Sequence, residues 1–410
     1  MPEFFNVVAP DQAFQVLKKH LPTTVEAEKI DTVDALGRVT SEDIASPEDL
    51  PAFARSTMDG YSVRAQDTFG ASEGMPAYLE VVGEVPMGKA ANLSLAVGQT
   101  AVAYTGGMLA GDADSVVMME RTQRVDERTI EVLRPVAPGE NVVQVGEDIR
   151  QGDLVLPKGH VIRPQDIGGL LALGLSRIKV SKRPRVAIVS TGDELVPPNQ
   201  KIAPGQIRDI NTYTISGLVT ECGGVPVPIA MVEDNFEAQK TAAVEALKKG
   251  DIVVFSAGSS VSSRDMTAAV FDGLGEPGVL THGISIKPGK PTIMGMAKGK
   301  PLIGLPGNPV SAMVVFDLTV RPTIYHLSGC TSPPALSTTT AKLSRDVPSQ
   351  AGREDYVQVR LTGENGNLEA EPIFGKSNLI YTLVRADGVV RVPLEKGGLY
   401  AGEEVSVRIY

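Results

Sequence analysis

Cysteine and histidine, which supply the ligands of most zinc and redox sites, are scarce in this sequence. The chain has two cysteines, Cys222 and Cys330, far apart, and four scattered histidines. A disulfide framework and a zinc site are not indicated, because both need several such residues at close spacing. A metal, if one binds, would be a hard cation such as magnesium, held by carboxylate oxygens.

The sequence also has no excess of basic residues and no long apolar run. Its 39 Lys and Arg residues face 49 Asp and Glu residues, which gives a net charge of −10. This balance argues against general binding to nucleic acid or to anionic membranes, which requires clusters of cations. No signal peptide and no membrane-spanning stretch is recognisable. We therefore expect a cytoplasmic protein without nucleic-acid or membrane partners.

A chain of 410 residues is long enough for more than one domain, and its hydrophobic content of 42% is typical of a folded globular protein. Apolar periodicity predicts helices over residues 10–21, over Val33–Asp43 with a break at Gly37, and over Asp166–Leu175. Short alternating runs predict a small β domain between Tyr61 and Val145, and a second one after Pro334.

Residues 185–329 alternate strand and helix patterns, which is typical of an α/β domain. Strands are predicted at 186–190, 227–231, 251–256 and 302–305. Helices are predicted at 211–222, 235–249, 266–273 and 309–327. In open α/β sheets, ligands bind where loops leave the carboxyl ends of the strands.

Two polar loops follow predicted strands of this domain. Asp193 and Glu194 come directly after one buried run. The loop Ser256–Asp265 is rich in Gly and Ser, so its backbone can approach an anion and donate several N–H groups to it. Asp265 is expected to open the next helix. The simpler interpretations are a turn at Asp193 and an N-cap at Asp265.

Two further loops carry lysines or precede a helix. Lys287 and Lys290 flank a Pro-Gly turn and suit an oxyanion, although exposed loop lysines would look the same. Gly304–Ser311 opens a helix, whose N-terminus attracts anions, and Asn308 is expected to cap it. Together the four loops fit a phosphorylated ligand with a magnesium ion better than four unrelated turns.

Two motifs resemble nucleotide-binding loops without their context. Ala370–Ser377 has nearly the P-loop spacing, but Ala370 replaces the first glycine and Glu371 would place a negative charge beside phosphates. Gly273–Gly278 matches GxGxxG, but it follows a predicted helix and contains proline. Neither predicts a nucleotide-binding loop.

Considered singly, the motifs of the β-rich half are ordinary turn signals. In chain order, however, the motifs of the whole sequence resemble those of MoeA proteins, the molybdopterin molybdenumtransferase family that includes the gephyrin E-domain. The matching segments are Ser56–Tyr61, Thr105–Gly107, Gly111–Val117, Gly146–Ile149, Ser190–Leu195, the Ser/Gly loop ending at Asp265, Lys287–Pro291 and Gly304–Ala312. The resemblance covers essentially the whole chain.

The resemblance implies a multi-domain fold of α/β plus β type. An elongated helical and mixed domain would comprise residues 1–46 and 146–180, with a β domain inserted at 47–145. A three-layer α/β molybdopterin-binding domain would span 181–329, and a small β domain 330–410. The family forms homodimers, with the site between the α/β domain of one subunit and the inserted domains of the other.

The activity implied by the resemblance is the last step of molybdenum cofactor synthesis. Molybdate, or tungstate, is inserted into the dithiolene of adenylylated molybdopterin with the help of Mg²⁺, and AMP is released. A molybdopterin adenylyltransferase is a candidate partner. The alternatives are a scaffold or carrier that only binds molybdopterin, and the adenylylation step itself. The separate acidic positions favour the insertion enzyme over a scaffold, and the extra β and helical domains disfavour adenylylation.

The resemblance also assigns residues by motif. The implied catalytic residues are Asp59, Thr105, Asp148, Glu194 and Asp265. Of these, Glu194 and Asp265 are expected near magnesium, whereas Asp59 and Asp148 would position the metal-insertion step. The implied substrate-binding residues are Asp234, Ser256, Gly258, Ser260, Lys287, Lys290, Pro306, Gly307, Asn308, Pro309, Arg353 and Ser377.

The chain departs from the family pattern in the implied phosphate region. Where the family often has Ser-Gly-Gly-Val-Ser-Val-Gly, Ala257, Ser259 and Ser263 replace glycines. Some members carry a lysine where this chain has Gly283. These changes bear on the geometry of the bound ligand and on which oxyanion is used. Molybdate and tungstate have the same charge and nearly the same shape, so the residue types alone do not show which of them is the substrate.

Overall fold

The computed structural model describes residues 7–257, 261–364 and 367–410, apart from the side chains of 261–264. The chain forms two compact units. The first comprises the residues up to Glu42, Lys158–Arg163 and Arg177–Tyr410, and the second comprises Asp43–Pro157 and Pro164–Ser176. The described α-helices are Pro10–Lys18, Pro164–Ala172, Asn211–Glu221, Phe236–Lys249, Val261–Asp272, Pro309–Leu318, Val320–Leu327 and Tyr381–Val384. None of these helices is long and apolar enough to cross a bilayer.

A six-stranded sheet organises the second unit. Its strands, in spatial order, are Ser115–Met118, Gly60–Val63, Gln99–Ala103, Ala77–Glu84, Thr129–Val132 and Thr122–Arg124. All neighbours are antiparallel except the third and fourth. Leu79, Val117 and Ile130 are fully buried in its core. Thr129–Val132 alternates buried and less buried positions, as a strand with one buried face does, whereas Gly60–Val63 is buried throughout. The predicted β structure between Tyr61 and Val145 is therefore confirmed. The unit also contains the short pairs Arg55–Ser56 with Val142–Val143 and Ile44–Ala45 with Leu154–Leu156.

A mixed six-stranded sheet, the central sheet, forms the middle of the first unit. Its spatial order is Val225–Val232, Arg185–Thr191, Ile252–Ala257, Lys300–Pro306, Ile293–Ala297 and Pro277–His282. The first four strands are parallel, and the last two are antiparallel to their neighbours. The four predicted strands are confirmed, whereas the hairpin of the last two was not predicted. Ile293–Ala297 is buried at every position, so its sequence shows no alternation of apolar and polar residues.

Helices cover both faces of the central sheet. Ile188 packs in a core with helix residues such as Ile215 and Phe316, whereas its neighbour Val189 packs on the other face with residues such as Phe271. This alternation explains why the strand is a continuous apolar run. The α/β prediction is therefore confirmed as three layers.

The C-terminal part of the first unit is a small barrel. Glu354–Thr362, Glu369–Pro372, Thr338–Leu343, Glu404–Ile409 and Gly388–Val392 pair in a closed ring, and Ile286–Lys287 adds a short parallel strand. The barrel core contains Val359, Val390 and Val407. The predicted β structure after Pro334 is confirmed. A further antiparallel pair, Ala27–Asp31 with Arg177–Ser181, lies outside the barrel.

Three helix predictions need correction. Val33–Asp43 contains no α-helix; only the 3₁₀ turn Thr32–Asp34 forms, because Gly37 has φ +70° and Val39 and Thr40 make β-bridges. The segment 309–327 is two helices, since the backbone leaves the helical region at Thr319. The helix predicted at 266–273 begins at Val261, so Asp265 lies inside it and does not open it. The boundaries of the four domains remain a prediction.

Candidate functional site

The chain order of the central sheet reverses between two adjacent strands. From Arg185–Thr191 the chain moves outward to Val225–Val232, then returns to the other side as Ile252–Ala257. Such a switch point leaves a crevice beyond the carboxyl ends of the strands, where α/β proteins bind ligands. Ser190 and Ser256 lie opposite each other there and are buried. The sheet thus brings two of the predicted loops to one edge.

Three carboxylates, Asp193, Glu194 and Asp234, form an acidic group at this edge. Asp193 accepts a hydrogen bond from the backbone N–H of Asp234 at 2.9 Å. Burial, followed by the charges of Asp193 and Glu194, raises the pKa of Asp234 above its usual value. Glycine is favoured at position 192, because its φ of +154° is one that residues with a side chain rarely adopt. The chain therefore gathers negative charge at the end of the first strand.

The acidic group can bind a magnesium ion only if a bound substrate supplies some of the metal ligands. Among the described residues, no group of three or more His, Cys, Asp or Glu side chains is arranged to hold a metal. Mg²⁺ commonly binds one or two carboxylates and takes its other ligands from substrate phosphates and water. A single carboxylate such as Glu194, beside the charges of Asp193 and Asp234, suits that mode. Asp265, the other predicted ligand, is exposed.

A pocket of about 930 Å³, the anion pocket, lies between the central sheet and the barrel. Predicted substrate-binding residues in its lining are Lys287, Lys290, Pro306, Asn308, Arg353 and Ser377. Lys376 is a fourth cation in the lining, and Asp355 is its one carboxylate. In a chain with a net charge of −10, this local excess of positive charge indicates an anionic ligand.

Asp355, which belongs to none of the predicted site residues, organises the cations of the anion pocket. Its side chain is only 5% exposed and accepts hydrogen bonds from Arg353, at 2.9 Å from Nε and 3.4 Å from Nη2. Lys287 lies opposite Asp355 in the parallel pairing, with its Nζ 3.8 Å from Oδ2 of the carboxylate. A buried carboxylate therefore restrains an arginine and faces a lysine at the pocket wall.

Asn308 connects the central sheet to the barrel. It precedes the helix Pro309–Leu318 as predicted, but its side chain makes no capping hydrogen bond. Its Nδ2 instead donates to Oγ of Ser377 at 2.8 Å, and the Val310 N–H donates to the Ser377 carbonyl at 3.2 Å. The expected capping by Asn308 is thus wrong, because the amide is used across the pocket. Ser377 lies at an anion pocket and not in a P-loop.

Asn211 is a buried residue of the site that we predicted only as the start of a helix. Its Nδ2 lies 2.7 Å from Oγ of Ser256 and 2.8 Å from the carbonyl oxygen of Gly307. Asp209, two residues earlier, accepts hydrogen bonds from the hydroxyls of Ser190 and Thr212. Polar residues just before a helix that follows a switch-point strand were the only sequence signal for this group.

The remaining predicted catalytic residues belong to the second unit. Oδ1 of Asp59 accepts hydrogen bonds from the backbone N–H of Thr105 at 2.8 Å and from its Oγ1 at 3.0 Å. These two bonds, the backbone one first, lower the pKa of Asp59. The predicted Asp59 and Thr105 are therefore brought together and exposed. Asp148 is also exposed, and its backbone N–H donates to the carbonyl of Leu50.

The Ser/Gly loop is described only in part. Ser256 and Ala257 end a central strand and are buried. The predicted substrate-binding residues Gly258 and Ser260 lie outside the described residues, as does Ser259. Pro309 begins its helix as predicted.

Three family models match the chain in succession. They are the MoeA N-terminal region (domain I and II) at residues 8–174, a probable molybdopterin binding domain at 187–326, and the MoeA C-terminal region (domain IV) at 340–410. The chain is 35% identical over 405 residues to a putative molybdopterin biosynthesis protein of Methanocaldococcus jannaschii, covering 96% of this chain and 95% of that protein.

A second relative and a crystal structure point to the same family. The chain is 31% identical over 402 residues to the molybdopterin molybdenumtransferase of Haemophilus influenzae, covering 97% of each. A crystal structure of the molybdopterin biosynthesis MoeA protein from Pyrococcus horikoshii OT3 matches with a TM-score of 0.86 and 32% identity, over 98% of this chain and 100% of that one. The chain therefore belongs to the MoeA family, the molybdopterin molybdenumtransferases of molybdenum cofactor biosynthesis.

Proposed function

We propose that this chain inserts molybdate into adenylylated molybdopterin and releases AMP, with Mg²⁺ assisting. The observation that supports this most is the pairing of opposite charges in one unit. A pocket with four cationic side chains and one carboxylate adjoins Pro306 and Asn308, and three other carboxylates follow the neighbouring strands. Such a site suits an oxyanion together with a phosphate-bound cation.

The anion pocket is the proposed place of molybdate. Lys287, Lys290 and Arg353 would hold the dianion through charge-assisted hydrogen bonds, which are about twice as strong as neutral ones. The hydroxyl of Ser377 is held by Asn308, so it offers a further oriented donor. No protein nucleophile is required, because the dithiolene sulfurs of the substrate form the bonds to the metal.

The acidic group has the complementary role. Glu194 and Asp265 would hold Mg²⁺, with Asp193 and Asp234 adding negative charge beside Glu194, and the ion would neutralise phosphate charge as AMP leaves. Without the ion, these carboxylates would repel the phosphates of the substrate. Substrate binding should therefore depend on Mg²⁺. Asp59, Asp148 and Thr105 complete the proposed catalytic set, with Asp59 kept ionised by its two hydrogen bonds.

The experiment is to measure AMP release from adenylylated molybdopterin, with and without magnesium, while molybdate and tungstate are titrated separately. We expect release that requires both magnesium and an oxyanion, and the effective oxyanion names the natural substrate. Tight binding of the pterin without release under any condition would favour the carrier instead. Pyrophosphate formation from ATP and molybdopterin would favour the adenylyltransferase. The homodimer belongs to the same proposal, and light scattering should give twice the chain mass.

A further inference from the structure

We propose that Asn211 is a positioning residue that clamps the carboxyl ends of two neighbouring strands, at Ser256 and Gly307, in a fixed relation. The inference extends the proposed function, because it names a residue outside the set assigned by motif. Ser256 lies near the end of the strand Ile252–Ala257, and Gly307 directly follows the strand Lys300–Pro306. These strands are direct neighbours in the central sheet, and Asn211 adds a side-chain link between their carboxyl ends.

Asn211 supplies that restraint with one amide nitrogen. Its Nδ2 is 2.7 Å from Oγ of Ser256 and 2.8 Å from the carbonyl oxygen of Gly307. A carbonyl oxygen can only accept, so the atom that faces Gly307 must be the amide nitrogen. Both of its hydrogens are then used, one on Ser256 and one on Gly307. Asn211 is 8% exposed, so water does not replace these bonds readily.

The position of Asn211 links the clamp to the acidic group as well. It lies at the start of the helix Asn211–Glu221, two residues after Asp209. The Asp209 N–H donates to the Val196 carbonyl, and the Ile207 N–H donates to the Glu194 carbonyl. The loop that carries Glu194 therefore returns to the same segment. The segment 207–211 thus bonds to the loop that carries Glu194, to the strand end at Ser256 and to Gly307.

The variants Asn211→Asp and Asn211→Ala distinguish the bond to Ser256 from the bond to Gly307. Asn211→Asp keeps the size of the side chain but presents acceptors only. The Ser256 hydroxyl can turn and donate to a carboxylate, whereas the Gly307 carbonyl cannot, so that contact becomes repulsive. Asn211→Ala removes both bonds. Ile215→Val is the control for a general loss of stability, because Ile215 is buried on the same helix and its aliphatic side chain cannot form a hydrogen bond to Ser256 or Gly307.

The first measurement is amide hydrogen exchange of the full chain without ligand. For Asn211→Asp we expect exchange in residues 302–307 to accelerate roughly tenfold, with residues 252–257 unchanged. For Asn211→Ala we expect both segments to accelerate. Ile215→Val should leave both close to wild type at the same temperature. Unchanged exchange in both Asn211 variants, or the same pattern in the control, overturns the clamp.

The second measurement is AMP release by the same variants. A loosened loop binds the substrate less well, so we expect the KM for adenylylated molybdopterin to rise about tenfold in Asn211→Asp, with a smaller change in kcat. An equal loss in Ile215→Val would show a general stability effect and overturn the proposal. If the wild type releases no AMP, the proposed function fails, while the exchange pattern still decides the clamp.

Discussion

Lys287 and Lys290 differ from ordinary surface lysines in the shape of the backbone that carries them. Gly289 between them has φ +117°, and a Cβ there would lie 2.6 Å from Val315. The turn is therefore fixed against the helix Pro309–Leu318, and both lysines line the anion pocket. A fixed turn lowers the entropy that each lysine loses when an anion binds.

Replacing either lysine should weaken oxyanion binding specifically. For Lys287→Ala and Lys290→Ala we expect the KM for molybdate to rise by about tenfold each, the effect of losing one charge-assisted hydrogen bond of roughly 1.5 kcal/mol. The KM for the pterin substrate should change less. Lys248→Ala, on an exposed helix surface, is the control. Equal KM values for molybdate in all three variants would show that the anion pocket does not bind molybdate.

Asp59 gives a prediction about pH. Its pKa is lowered by two hydrogen bonds from Thr105, of which the backbone bond has the larger effect. Because the folded-state pKa lies below the unfolded one, the ionised form stabilises the fold at higher pH, and this stabilisation is lost as pH falls through the folded pKa. Thr105→Val removes only the hydroxyl bond, so the pKa of Asp59 should rise part of the way to its usual value. Carboxyl NMR titration would show this, and no change would mean that the hydroxyl is not bound in solution.

Asp234 should behave in the opposite sense. Burial and its acidic neighbours raise its pKa, so the folded state binds a proton more readily than the unfolded chain. Its ionised form therefore destabilises the fold, and this cost appears as pH rises through the folded pKa. We expect Asp234→Asn to raise Tm at neutral pH without magnesium, while it weakens the magnesium dependence of AMP release. A lower Tm in the variant would contradict this account.

At the scale of elements, two asparagines at helix starts show what the sequence could not distinguish. Asn235 caps Phe236–Lys249, with Oδ1 accepting from the N–H groups of Glu237 and Ala238. Asn308 occupies the same place before its helix but donates to Ser377. The two side chains are chemically identical. Whether the amide caps its helix or bonds to Ser377 depends on the packing of the barrel beside the helix.

The two asparagines should therefore respond differently to alanine. Asn235→Ala loses a cap and should lower the free energy of unfolding by about 1 kcal/mol. Asn308→Ala loses no cap, but it frees the Ser377 hydroxyl, so we expect a raised KM for molybdate. Chemical denaturation and molybdate titration of both variants test this. A cap-sized stability loss in Asn308→Ala without a change in KM would reverse the assignment.

Elements with strong local patterns could be predicted from the sequence. The buried run Val186–Val189 and the helix start at Asn308–Pro309 are examples, because apolar periodicity and proline geometry act locally. The hairpin of Ile293–Ala297 and the role of Asn211 could not be predicted. Both depend on neighbours far away in sequence, such as Gly307 for Asn211, and a single chain does not display those contacts.

At the scale of the whole molecule, the anion pocket is positively charged although the chain as a whole is negatively charged. The chain has a net charge of −10, whereas the anion pocket has four cationic side chains and one carboxylate. A dianion is therefore repelled at long range and attracted at short range. Salt separates these effects, because the screening length is about 30 Å at 0.01 M, 10 Å at 0.1 M and 3 Å at 1 M.

Molybdate affinity should accordingly depend on ionic strength in two phases. Between about 0.01 and 0.1 M salt, the distant negative charges are screened first, so we expect the KM for molybdate to fall or stay constant. Toward about 1 M, even the contacts with Lys287 and Lys290 are screened, so KM should rise. The rise should be shallower in Lys290→Ala, because one attractive charge is missing. Steady-state kinetics in a chloride series measures this, and a KM that does not respond to salt in either range would show that charge does not attract the oxyanion to this pocket.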